Sequence, residues 1–126
     1  MGFEAELKAR TKRIAVSILH LVAKVPSGRV ADVLVRQIVR SASSVGANYR
    51  AACRARSDAE LAAKLGIVEE EADETQYWLE LLVESKFLQE SEVRDLHREL
   101  DEVIAIIVTA RKTLRAKVTR EGNQIR

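Results

Sequence analysis

The sequence predicts an all-α protein, an antiparallel up-down-up-down four-helix bundle. Apolar residues recur at alternating steps of three and four through four successive stretches, the cadence of a bundle seam. The connections between those stretches are short, which leaves antiparallel neighbours as the economical arrangement. Composition agrees: 47% of residues are apolar, 32% charged and only 4% aromatic, with a single proline, a profile of helices rather than of a β-sandwich. At 126 residues the chain falls in the single-domain range and buries roughly two thirds of its unfolded surface without a staple. The bundle is assigned to residues 1–118, and residues 119–126 to a polar basic tail that is expected to fray.

Helix one, from about Phe3 to Val25, carries Leu7, Thr11, Ile14, Ile18, Leu21 and Val25 on one seam, and Pro26-Ser27-Gly28 ends it. Helix two, from about Val30 to Ala55, continues through Leu34, Ile38, Ser41, Val45, Asn48 and Ala52, a seam of unusually small residues. Helix three opens on Ser57-Asp58-Ala59-Glu60, a capping box in which Ser57 and Glu60 each satisfy an orphan backbone N–H. Its stripe is Leu61, Leu65, Val68, Ala72, Thr75, Leu79 and Leu82. A link around Ser85-Lys86-Phe87-Leu88 leads to helix four, with Val93, Leu96, Leu100, Val103, Ile107, Ala110 and Leu114.

Helix two sorts into three faces at 100° per residue. Opposite its seam, Arg29, Arg36, Arg40, Arg50 and Arg54 form a narrow strip, read as a place where something anionic binds. Between seam and strip, Val35, Val39, Ala42, Gly46, Tyr49 and Cys53 make a mainly apolar flank, read as a contact with another subunit. Trp78, on a flank of helix three with Ile67, Glu71 and Glu74, is placed at the bundle edge or against the same neighbour. A glycine inside a helix costs about 1 kcal/mol relative to alanine. Gly46 is therefore read as a close approach of another backbone, and Gly46→Leu is expected to break the assembly while leaving the bundle helical.

The topology polarises a net charge of only +2. One end is expected to collect Lys8, Arg10, Lys12, Arg13, Arg50, Arg54, Arg56, Arg111, Lys112, Arg115, Lys117 and Arg120; the other receives most of the acids of helices three and four, including Glu69, Glu71, Glu74, Glu99 and Glu102. A concentrated cationic surface attracts phosphate backbones by counterion release, without base-reading aromatics. The candidate nucleic-acid contacts are Lys8, Lys12, Arg13, Arg50, Arg54, Arg56, Arg111, Lys112, Arg115 and Lys117. Solvated charge runs laced with weak ion pairs are the competing reading.

No catalytic, cofactor-binding or metal-binding residues are assigned. His20 and His97 lack a glutamate three residues before them, where di-iron bundles place one. No glycine-rich phosphate loop occurs. Cys53 reads as an inert small hydrophobe, although nearby arginines favour its thiolate. A single cysteine suits a reducing compartment, and the longest uncharged run, Ile14 to Ala23, is far short of the roughly 20 residues that cross a bilayer. A cytoplasmic protein with no membrane contact is expected.

The run RQIVRSASSVGANYRAACRARSDAELAAKLGIVEEEADETQYWLELL, Arg36 to Leu82, resembles bacterial four-helix-bundle proteins related to those encoded in intervening sequences of large-subunit ribosomal RNA genes. It is similar also to the accessory variability proteins of diversity-generating retroelements. The resemblance implies a ring of five bundles, a homopentamer; in the retroelement branch it implies a basic ring that binds RNA or DNA and a reverse transcriptase. The family pattern falls on Asn48, Tyr49, Arg50, Arg54, Arg56, Ser57, Lys64, Glu71, Glu74, Tyr77 and Trp78. Ser57 is explained as a cap. Asn48, Glu71 and Glu74 read as a structural polar cluster, with Asn48 bonded to one of the carboxylates and Arg50 or Arg54 neutralising it. A protein–protein scaffold without a nucleic-acid ligand is the alternative to a nucleic-acid-binding accessory protein.

Overall fold

The computed structural model describes the backbone of residues 2–125 and the side chains of residues 4–122. Four helices account for nearly all of it: α1 (Gly2–Val22), α2 (Arg29–Ala52), α3 (Asp58–Glu84) and α4 (Glu90–Ile125). Each helix packs on the next, and α4 returns to α1, so the bundle closes as a square.

The seams are those of the sequence. Leu7, Ile14, Ile18 and Leu21 of α1 are buried against Ile38 and Val45 of α2, Leu65, Val68, Leu79 and Leu82 of α3, and Leu100, Val103 and Ile107 of α4. The polar seam positions are buried too, each with a partner. Thr11 returns its hydroxyl to the Leu7 carbonyl at 3.0 Å. Thr75 donates to Ser41 Oγ at 2.9 Å across the α2–α3 contact, while Ser41 donates to the Ile38 carbonyl at 3.3 Å. Asn48, expected on this seam, is only half-buried.

The helix ends differ from the expectation in consistent ways. α1 stops at Val22, because Lys24 and Val25 bond back to the carbonyls of Leu21 and Val22 in a tightened turn before Pro26. α2 stops at Ala52 for a similar reason, Arg54 and Ala55 bonding to Ala51 and Ala52. Ser57 caps α3, its hydroxyl oxygen accepting from the Glu60 N–H at 3.1 Å. At the far end of α3, Lys86 takes φ 69°, and the N–H groups of Lys86 and Phe87 reach the carbonyls of Val83 and Leu82, a Schellman closure with lysine in the position glycine usually fills. The tail expected from Thr119 onward is instead the last turns of α4, helical to Ile125; Arg126 lies outside the described residues.

Candidate nucleic-acid interface

The flank of α2 expected to meet another subunit meets α1 instead. Ala42 and Tyr49 are 1% and 6% exposed within the single chain, so neither side chain is left for a neighbour. Val35, Val39 and Cys53 are half-buried against the same core. At Gly46 an added Cβ would lie 3.5 Å from the carbonyl carbon and oxygen of Thr11: the backbone that approaches is α1 of the same chain. The error has a simple cause. A helix in a square bundle has two neighbours, so one flank of its seam is covered by each. Trp78 is also half-buried against the core, with Tyr77 edge-on at 5.2 Å. Among the described residues the large apolar side chains that do stand out are Val16, Leu19 and Val33, each near 45% exposed, and Val30 at 62%, with Ile67 at 39% and Tyr77 at 53% on α3.

The polar cluster is differently wired as well. Asn48 Nδ2 donates to the Ser44 carbonyl at 2.8 Å, one turn back along its own helix. Glu71 and Glu74 are held by Arg40, not by Arg50 or Arg54, and Glu74 also accepts from Trp78 Nε1 at 3.0 Å. That indole N–H, followed by Arg40, holds the Glu74 carboxyl below its ordinary range. Arg40 was legible only as a member of the exposed strip, because nothing in its own helix marks the partners it finds on α3.

The charge poles do not separate as the topology suggested. Arg10 pairs with Glu99, at 2.6 Å, and with Glu102; Arg111 lies over Gly66 and reaches Glu69 at 2.8 Å; Lys117 meets Asp58 at 2.9 Å. Arg10 and Arg111 thus meet acids assigned to the opposite end, in the middle of long helices, whereas Lys117 meets Asp58 at the basic end, where α3 begins. Arg13 stays on the α1–α4 side, where its charge joins that of Arg10 in depressing the Glu99 carboxyl. Arg56 sits in the α2–α3 turn, while Lys112 and Arg115 are exposed on α4.

What remains is a sharper feature. Lys8 and Lys12 of α1, Arg50 of α2 and Arg54 in the turn just after α2 flank one groove of about 670 Å³ on the outer side of the α1–α2 pair, with a floor of Ala9, Ala15, Ser43, Gly46 and Ala47. No carboxylate lines it, and among the described residues none of the four cations is paired with one. The floor is shallow because Gly46 lets α1 come close and its neighbours carry little beyond Cβ. All four cations extend into solvent. Such a channel concentrates positive potential along a line, and it offers donors from both rims to an anion lying in it.

A second cleft, of about 640 Å³, opens where the turn before α3 faces α4 and is mostly apolar, with Leu7, Leu61, Ile107 and Leu114 in its walls. Tyr49 and Cys53 lie in it. Burial pushes both the phenol and the thiol upward, which opposes the Cys53 thiolate that neighbouring arginines would favour. Among the described residues no group of three or more His, Cys, Asp or Glu side chains is placed to hold a metal ion. Among the described residues no helix is long and apolar enough to cross a membrane.

The fold is shared with a protein of unknown function from the S23 ribosomal protein family of Bacteroides thetaiotaomicron. The two superpose with a TM-score of 0.78 at 32% identity, over 84% of this chain and 98% of that one. No curated protein matches the chain. A family model described as 23S rRNA-intervening sequence protein matches residues 4–109, which takes in nearly all of α1, the whole of α2 and α3, the first part of α4 and every residue of the cationic groove. The chain belongs to the family of 23S rRNA-intervening sequence proteins.

Proposed function

We propose that this protein is a non-catalytic, homopentameric nucleic-acid-binding accessory protein that holds phosphate backbones in the groove between α1 and α2. One observation carries the reading: Lys8, Lys12, Arg50 and Arg54 converge on one channel lined by no carboxylate among the described residues, while Arg10, Arg40, Arg111 and Lys117 are engaged by acids of the same chain. Unpaired cations carry the counterion-release term that drives phosphate binding. The family description, which ties its members to intervening sequences of 23S rRNA, makes RNA a ligand within reach. Copies assembled in a ring would repeat the groove and multiply weak contacts into avidity. The exposed Val16, Leu19, Val30 and Val33 of the α1–α2 hairpin supply the apolar surface for that assembly, in place of the α2 flank.

The test is binding of labelled RNA and DNA across a salt series. Changing Lys8, Lys12, Arg50 and Arg54 together to Gln is expected to remove most of the affinity and most of its salt dependence. Changing Arg111, Lys112, Arg115 and Lys117 to Gln is expected to remove less, because two of those four are neutralised in place. The reverse ranking, or an affinity that does not fall as salt rises, would favour a protein-binding scaffold. Light scattering on wild type and on Leu19→Glu/Val33→Glu reads the assembly: five subunits for the first and fewer for the second are expected.

A further inference from the structure

The chemistry of the groove specifies which form of nucleic acid it takes. Resting on the reading above, we infer that the α1–α2 groove receives the phosphate ridge of a double helix and discriminates against single strands. Three observations carry this.

The first is what lines the channel. Its rims are Lys8 and Lys12 on one side and Arg50 and Arg54 on the other; its floor is alanine, serine and glycine. Among the described residues no aromatic ring borders it. Proteins that hold single strands rely on rings against which successive unpaired bases stack. Among the described residues the exposed ring is Tyr77, which stands on α3 beside Trp78, and Trp78 gives its N–H to Glu74. A single strand laid in the groove would leave its bases in water with nothing to cover them. A duplex arrives with its bases already stacked and paired, so it loses nothing when only its backbone is touched.

The second is spacing. On the α1 rim Lys8 and Lys12 stand four residues apart, which at about 1.5 Å per residue places them about 6 Å apart along the helix; on the other rim Arg50 lies in the last turn of α2 and Arg54 in the turn that follows it. That stride is of the same order as the distance between consecutive phosphates on one strand. A row at this interval, faced by two arginines across the channel, suits a regular, pre-ordered ridge better than a flexible chain whose phosphates must first be ordered.

The third is the shape of the floor. Gly46 sits where a Cβ would come within 3.5 Å of α1 backbone, and Ala9, Ala15 and Ala47 add only methyl groups, so the channel is shallow and open along its length. Such a floor admits a convex ridge. It offers neither a pocket for a flipped base nor the polar pattern that reads base edges, and recognition is therefore of the backbone alone, independent of sequence.

The experiment is fluorescence anisotropy at low salt with a short blunt-ended RNA duplex and with polyuridine of equal length. The duplex is expected to bind at least about tenfold more tightly, the margin expected when stacking contacts are missing for the single strand. Four neutralised phosphates predict a slope of log affinity against log salt of about −3.6 for each groove engaged. Arg50→Gln alone should flatten that slope by about 1, with circular dichroism showing the helices intact. Equal or tighter binding of polyuridine would overturn the preference for duplex while leaving nucleic-acid binding in place. Failure to bind either probe would overturn both.

Discussion

Gly46 of α2 lies against the Thr11 carbonyl group of α1, where an added Cβ would stand 3.5 Å from its carbon and oxygen. The separation is an ordinary van der Waals contact, so space for a Cβ does not force the glycine; a branched, larger side chain would crowd α1 or fill the groove floor. Gly46→Ala is expected to be neutral or to stabilise by up to about 1 kcal/mol through helix propensity. Gly46→Leu must push α1 away and is expected to cost about 1–3 kcal/mol by overpacking. Urea denaturation of the two variants checks both values. Loss of stability in the alanine variant would place α1 closer than described, whereas a leucine variant of full stability would leave α1 free to shift. This replaces the expectation that leucine breaks only the assembly.

How much was legible follows from the kind of information each residue carries. The seams could be read because a core position declares itself by period: Ile14, Ile38, Val68 and Leu100 sit on the predicted stripes and are fully buried or nearly so. Ser57 could be read as a cap because its partner, the Glu60 N–H, is three residues away. The arginine strip of α2 is exposed as expected. What could not be read was any relation that crosses between helices. Nothing local in Arg10, Arg40 or Arg111 announces Glu99, Glu74 or Glu69, and the same blindness made two lysines of α1 and two arginines at the end of α2 and just beyond it seem parts of a diffuse pole when they border one channel. The apolar flank of α2 was misassigned for a related reason, since hydrophobicity records that a face is covered but not by which helix.

Lys86 tests the link between α3 and α4. Its positive φ, 69°, strains a residue with a Cβ, while the Schellman hydrogen bonds around it hold the chain in that conformation. Lys86→Gly should relieve the strain and raise stability by about 0.5–1 kcal/mol, after allowance for the greater freedom of glycine in the unfolded chain. Lys86→Val, β-branched at the same φ, should lower it by more than about 1 kcal/mol. Shifts of the urea midpoint at constant slope report both. A destabilised glycine variant would show that the lysine side chain contributes more than its backbone costs.

The acid limb of stability is set in part by Glu99 and Glu74. The hydrogen bond from Arg10, with the charges of Arg10 and Arg13 behind it, holds the Glu99 carboxyl below its ordinary value of 4.5; the Trp78 N–H and Arg40 do the same for Glu74. A carboxyl whose folded pKa lies below its unfolded one favours the folded state at pH values above the unfolded pKa. That contribution fades as pH falls from about 4.5 through the depressed folded value. Both groups are partly exposed, so each ion pair is worth less than about 1 kcal/mol. Glu99→Gln should therefore be slightly less stable than wild type near neutral pH, and the gap should close as the solution is taken from about pH 5 toward pH 3. Trp78 is the single tryptophan and half-buried against the core, so its fluorescence follows unfolding in both proteins. A gap that stays constant down to the acid end would mean that Glu99 acts through packing and not through its charge.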